Sequence, residues 1–387
     1  GTLSLITDPP GAEAELFRHV ERDRRLVLEA EQELGRTPIV EQSLPMGSYL
    51  VRLRAPGHID VRYPVFIDRQ RAWDGAPPGE EQPRPVVLPR RGELAPDERY
   101  VPAGWFLAGG DRDAPGGLPR QRVWLDAFVI GRHPVTHAEL LAFLAALVDG
   151  GDAGRAEALV PRRTGASGRG GGDPLYGRDP DGHYTLDDPG GHGPLDRRAP
   201  AVCVTWEAAC AYAAWKAGSD GLPWRLPGEL EWEKAARGVD GRPLPWGRHL
   251  DPTFCNMRDS RGAAAAVASV DEFVLDESPY GVRGTAGNVR DWCLDRFAPH
   301  GPRVVDGRWM PLDPASGEPL AAGALLDPAR LTFGGPVTWP RVGRGGAWCV
   351  NPVTLRVAYR SWFAPGFPCD DALGFRLVRS YPASEPG

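Results

Sequence analysis

Apolar residues recur at two different periods along the chain, and the change of period divides it. Between residues 2 and 70 they alternate in short runs, with Tyr49, Val51 and Leu53 along one segment and Val61, Tyr63, Val65 and Ile67 along the next, the period of half-buried strands. Turn formers punctuate these runs at Asp8-Pro9-Pro10-Gly11, Gly35-Arg36-Thr37-Pro38, Pro45-Met46-Gly47-Ser48 and Ala55-Pro56-Gly57, so residues 1–71 predict a small β-sandwich. Residues 72–98, rich in Pro and charge, predict a linker. From residue 99 the helical period enters. Val123 to Ile130 still predicts a strand, but Thr136-His137-Ala138-Glu139 is a capping box opening a helix through Leu140, Leu141, Phe143, Leu144 and Leu147. Residues 149–200 are rich in Gly, Asp and Arg with little periodicity and predict a flexible insertion. A second helix starts at Thr205 with a small-residue face at Ala209, Cys210, Ala213 and Ala214. A third follows Pro227, with Glu229, Glu231 and Glu233 near the positive end of its dipole. Beyond Trp246 the pattern predicts loops and short strands, closing with a buried strand from Leu373 to Val378.

Composition sharpens this picture. The 387 residues are 42% apolar and 25% charged, as in globular proteins. The 49 Gly and 41 Pro, with 13 Trp, predict a loop-rich fold pinned by aromatic residues rather than a helical bundle. A net charge of −6 argues against general nucleic-acid binding, and no apolar run is long enough to span a bilayer. The six cysteines form no CxxC pair, which argues against a zinc site or a disulfide framework and makes reduced thiols in the cytoplasm the default expectation. The chain opens at Gly1 without Met and reads as a fragment, in which any upstream domain or signal would be invisible.

Two families are suggested by motifs. The start TLSLITDPPGA, then GRTP, then PMGSYLVRLRAPGH resembles the PEGA module, a surface β domain found beside other domains in bacterial proteins. Trp224-Arg225-Leu226-Pro227, Glu229 through Gly238, Pro245-Trp246-Gly247, Gly287-Asn288-Val289-Arg290-Asp291-Trp292, Arg344-Gly345-Gly346-Ala347-Trp348 and Gly374-Phe375-Arg376 together resemble the formylglycine-generating enzyme superfamily. That resemblance implies an α+β, elaborated C-type lectin-like domain over residues 99–381, with few regular elements and many loops. Its oxidases bind copper through two cysteines spaced Cys-x4-Cys after the RGG motif, soft ligands suited to Cu(I). Here Cys349 follows Trp348, but Thr354 stands five positions later and the next cysteine is Cys369. The iron-dependent sulfoxide synthases of ergothioneine synthesis need a histidine cluster. Only His133 and His137 stand at HxxxH spacing, with Pro134-Val135-Thr136 breaking the helix that would align them. The resemblance also implies structural calcium, with Gly287, Val289 and Asp291 as ligands at one site, where Gly284 replaces a family asparagine, and Asn256 and Met257 at another.

The segment 344–379 further resembles the variable region of diversity-generating retroelement proteins, non-enzymatic members that bind ligands. In that pattern a fixed skeleton (Arg344, Gly345, Gly346, Trp348, Asn351-Pro352, Leu355-Arg356, Ala358, Arg360, Pro365 and Leu373 through Arg376) alternates with diversified positions. The interleaved residues are Cys349, Val350, Val353, Thr354, Val357, Tyr359, Ser361, Trp362, Phe363, Gly366, Phe367, Cys369, Asp370, Asp371 and Ala372. Their aromatic members suit a contact surface, since Tyr and Trp bury large area at low entropic cost. The expectation is a ligand-binding protein, not an enzyme, that meets a protein or small molecule through this surface. A copper-dependent oxidase and the C-terminal sensor region of a bacterial Ser/Thr kinase are the alternatives. No VAIK, HRD or DFG motif lies within the chain. The arginines at 341, 344, 356, 360 and 376 read as structural ties.

Overall fold

The computed structural model describes residues 1–163, 172–187, 194–262, 265–313, 317–318, 339–366 and 371–381. The N-terminal part is a two-sheet sandwich. One antiparallel sheet has the order Arg25–Arg36, Glu13–Arg22, Gly47–Arg54, Val61–Ile67; the other has Ile39–Ser43, Thr2–Leu5, Ala72–Trp73. The two longest strands are joined by Asp23 and Arg24, both at positive φ (48° and 66°), the backbone of a two-residue hairpin turn matched to strand twist. Tyr49, Val51, Leu53, Val61, Tyr63, Val65 and Ile67 are all buried, so the alternating residues form this core.

The segment 72–98 differs from an open tether. Ala72–Trp73 pairs in parallel with Thr2–Leu5, and Val86–Val87 pairs in parallel with Thr7–Asp8. Trp105 Nε1 donates to Ala76 O at 2.8 Å, tying the segment to the next domain. Two-residue strands carry too little periodicity to be seen among prolines.

The C-terminal part is α+β. Helix α1 (His137–Asp149) carries the expected capping box: Glu139 N donates to Thr136 Oγ1 at 3.4 Å, and Thr136 N donates to Glu139 Oε2 at 2.8 Å. The insertion is more ordered than its composition predicts. It contains α2 (Ala153–Leu159), capped by Asp152, and a small hairpin of Gly177–Arg178 with Tyr184–Thr185. Tyr176 is buried there and its hydroxyl lies 2.7 Å from His137 Nδ1. Residues 164–171 and 188–193 of the insertion lie outside the described residues. Helix α3 (Trp206–Asp220) is capped by Thr205 and ends at Gly221 with φ 69°, a left-handed position that suits glycine.

Helix α4 (Glu229–Arg237) packs on the sheet that carries the C-terminal segment, ordered Arg360–Phe363, Arg341–Arg344, Arg290–Arg296, Leu373–Gly374. The expected single strand from Val123 to Ile130 is two, Gln121–Leu125 and Phe128–Gly131, in different sheets. The closing strand likewise divides into Leu373–Gly374 and Val378–Ser380.

A polar clasp joins the two parts. Ser48 Oγ donates to Asp240 Oδ2 at 2.7 Å, Arg242 Nη2 donates to Ser48 Oγ at 3.3 Å, and Leu26 N donates to Trp246 O at 2.7 Å. His19 Nδ1 lies 3.3 Å from Ser48 Oγ. Burial, reinforced by the Arg242 charge, pushes the His19 pKa down to about 3, so the ring is neutral in the clasp.

Candidate functional site

The arginines of the C-terminal segment are its anchors. Arg344 is wholly buried, and its Nη2 donates to Glu233 Oε2 at 2.7 Å while Nη1 donates to Glu229 Oε1 at 3.3 Å. Arg360 also pairs with Glu229 and donates to Ala298 O at 2.9 Å. Arg237, from α4, donates to Glu233 Oε1 at 2.7 Å, and Gly109 N donates to the same oxygen at 2.7 Å. The Arg344 and Arg237 charges hold the Glu233 carboxyl below the usual range despite the opposing effect of burial. Arg356 bonds Asp111 at 2.9 and 3.0 Å. Arg341 donates to Leu294 O at 3.0 Å and lies over the Trp206 ring at 4.0 Å. The glutamates of α4 face inward to meet these cations instead of only complementing the helix dipole.

On this frame the interleaved positions fall into three groups. Val353 and Trp362 are exposed (40% and 57%), as are Gly366 and Asp371. Cys349, Val350, Thr354, Tyr359 and Phe363 are half-buried. Val357, Ser361 and Ala372 are buried, which corrects their assignment to a contact surface. Val357 packs with Trp232, Ala236, Cys293 and Val342, and Ser361 Oγ donates to Gly343 O at 2.7 Å across the edge of the sheet. Phe363 turns inward, its ring 5.7 Å from that of Trp292 at 80°. Phe367, Cys369 and Asp370 lie outside the described residues.

Trp362 sits on the edge strand with its ring 6.1 Å from Phe297. Nearby in the sheet, the exposed Trp339 (59%) precedes Arg341–Arg344, with the Arg296 guanidinium 5.6 Å from its ring. Trp339 was not among the expected contact residues. Its sequence signal is a Trp directly before Pro340 at the entry to an edge-proximal strand, where a large ring has no core to fill.

The residues implied for calcium leave one buried oxygen at each set, Asp291 Oδ1 and Asn256 Oδ1, without a hydrogen-bond partner among the described residues. Calcium takes six to eight oxygen ligands. Asp291 is the one carboxylate in the Gly287, Val289, Asp291 set, and its Oδ2 already accepts from Arg376 Nε at 2.6 Å and Trp232 Nε1 at 2.8 Å. The Arg376 guanidinium also takes the carbonyls of Arg283 and Gly284, each at 3.0 Å. The Arg376 guanidinium thus neutralises Asp291 through Oδ2 and leaves Oδ1 unpaired. At the other set, Asn256 Nδ2 donates to Ala266 O at 2.8 Å and to Asn288 Oδ1 at 2.9 Å, while Ser260 N takes the Met257 carbonyl at 3.0 Å. Asn288 in turn bonds both backbone groups of Ala268, so amide hydrogen bonds tie these loops. Among the described residues no three His, Cys, Asp or Glu side chains group as a metal site. His137, committed to Tyr176, does not form the HxxxH pair with His133. Cys203, Cys210, Cys255 and Cys293 are buried. Burial pushes the thiols of Cys210, Cys255 and Cys293 above the ordinary range, away from the thiolate form. No helix among the described residues is long and apolar enough to cross a membrane.

The pattern described as sulfatase-modifying factor enzyme 1-like domain matches residues 84–381. A formylglycine-generating enzyme of Thermomonospora curvata is 32% identical over 244 residues, 54% of this chain and 75% of that protein. The serine/threonine-protein kinase Pkn1 of Chlamydia trachomatis is 27% identical over 287 residues, 72% of this chain and 38% of the kinase. Among solved structures, PvdO from Pseudomonas aeruginosa superposes with a TM-score of 0.52 at 24% identity, covering 74% of this chain and 96% of that one, a likeness of fold.

Proposed function

We propose, for a chain that belongs over residues 84–381 to the sulfatase-modifying factor enzyme 1-like domain family, that it is a ligand-binding protein rather than an oxidase. In this reading it meets a protein or small-molecule ligand through its C-terminal segment. The observation that carries the reading is the division of labour within residues 344–379. The skeleton arginines Arg344, Arg360 and Arg376 are buried in ion pairs, while Val353, Trp362, Gly366 and Asp371 between them are exposed. Loops held by a rigid frame tolerate substitution at their exposed positions, the arrangement antibody paratopes use. Trp362, with Phe297 and Trp339, supplies the aromatic anchor. Buried Val357, Ser361 and Ala372 belong to the frame in this reading. Against an oxidase stands Thr354 at the position of the second copper thiol.

Replacing the exposed Val353 and Trp362 together by Ala leaves the melting temperature within a few degrees of the parent, because exposed substitutions change stability little. A collapse of the fold in thermal melts would make these residues core and end the reading. The similarity to a kinase over 72% of this chain supports a second reading, in which the surface is the sensor or interaction region of a larger signalling protein. The N-terminal sandwich is then a spacer or docking module.

A further inference from the structure

We infer that the seam between the N-terminal sandwich and the C-terminal domain is a binding site for one tetrahedral oxyanion, phosphate or sulfate, either free or as an ester. The site is distinct from the C-terminal contact surface. Four arginines converge there from four segments: Arg62 from the strand Val61–Ile67, Arg99 from the strand Glu98–Val101, Arg132 just after the strand Phe128–Gly131, and Arg283 from a loop of the second domain. A single carboxylate, Glu277, faces them. Arg283 Nε donates to Glu277 Oε2 at 2.8 Å, but Arg62 Nη1 and Arg132 Nη2 stand 3.6 Å from its oxygens, too far for hydrogen bonds. The Nε of Arg132 is buried and has no hydrogen-bond partner among the described residues. Arg99 uses Nη1 on the carbonyls of Pro96 and Glu98, at 2.8 and 2.7 Å.

The approach of the cations is built into the backbone. Gly281 has φ +85°, and a Cβ there would lie 3.1 Å from Arg99 Nε and 3.4 Å from Arg62 Nη1. Neighbouring groups do little to cancel the excess. Asp97 is exposed and acts on Arg99 only through space. Asp271 is engaged by Arg198 at 2.6 Å, and burial and Arg376 keep His133 neutral, its pKa pushed down to about 4. Four guanidinium groups against one carboxylate leave unused N–H forks in a partly dehydrated seam. Guanidinium forks match the oxygens of phosphate and sulfate, and uncompensated charge draws the anion in. The side chains of Arg62, Arg132 and Glu277 remain 46%, 26% and 27% exposed, so entry needs no opening of the fold. Because Arg62 comes from the sandwich and the others from the second domain, the bound anion also ties the two together.

The test is calorimetric titration of the full chain with sodium phosphate and sodium sulfate, at ionic strength held constant with chloride, with melting temperature followed in parallel. Saturable one-to-one binding with a rise in melting temperature is expected. Arg132→Gln weakens it about tenfold, the loss of a charged hydrogen bond. The more exposed Arg62→Gln weakens it too without disturbing the fold, and Glu277→Gln tightens it severalfold by removing the resident competing carboxylate. Tighter binding of phenyl phosphate than of inorganic phosphate assigns an ester, and the reverse assigns the free ion. Binding no better than chloride, or weakened by Glu277→Gln, overturns the site.

Discussion

Glu233→Gln lowers the stability of the protein by roughly 3–5 kcal/mol, the cost of breaking a buried ion pair while leaving its partners in place, and the melting temperature by about 10 °C. The substitution keeps the volume of the side chain and removes only its charge. Glu233 accepts from Arg344, Arg237 and Gly109 N, all at 2.7 Å, in a site with 3% side-chain exposure. An amide in its place turns an NH2 toward one of the guanidinium groups, and two fully buried cations lose their shared counter-charge. Chemical denaturation checks the size of the effect. A loss under 1 kcal/mol would mean that Glu229 alone can neutralise Arg344, so that the frame is looser than the geometry indicates.

A second large effect is acid destabilisation through His137. The ring is 3% exposed and bonded to Tyr176. Burial pushes its pKa down from 6.5 to about 4, with Asp196 opposing weakly. The folded-state value is depressed, so between about pH 6.5 and 4 the unfolded chain binds the extra proton. The stability contributed by the neutral ring is therefore present above pH 6.5 and is lost as pH falls through that window. The shift corresponds to roughly 3 kcal/mol by pH 4. Asp276 acts with the opposite sign: burial raises its pKa to about 6, so its neutral form favours the fold at low pH and that contribution is lost as pH rises. The double replacement His137→Phe, Tyr176→Phe removes the titrating ring and leaves no polar orphan. Urea midpoints at pH 7 and pH 4.5 then fall less between the two pH values than in the parent. Parallel losses would show that His137 is not the titrating group.

Helix boundaries were legible wherever a side chain announces them. Thr136 with Glu139, Thr205, and Pro227 before the glutamates mark the starts of α1, α3 and α4, and the alternation at Tyr49 to Ile67 marks two strands of the sandwich. What escaped is what tertiary pairing alone creates. Ala72–Trp73 and Val86–Val87 are strands only because Thr2–Leu5 and Thr7–Asp8 lie beside them. Helix α2 is seven residues long, too short for a periodic pattern. At the site, the arginine skeleton was legible as structural, but the partition of the interleaved positions was not. Val357, Ser361 and Ala372 have no apolar period that separates them from Val353, Thr354 and Asp371. Val357 is buried because it packs on Trp232 and Ala236 of α4, Ser361 bonds across to Gly343 of the neighbouring strand, and the Ala372 carbonyl accepts from Arg290 N. The seam arginines were illegible for the same reason, since Arg62 and Arg283 meet only when the sandwich docks.

The most direct test of a replaceable surface on a fixed frame is a display library with Val353, Thr354, Tyr359, Trp362, Gly366 and Asp371 randomised together, sorted first for folded clones and then for binding to one test protein. Most clones are expected to stay folded, and binders to emerge whose substitutions map to these positions. Widespread unfolding, or a folded library that yields no binder, would contradict the ligand-binding reading.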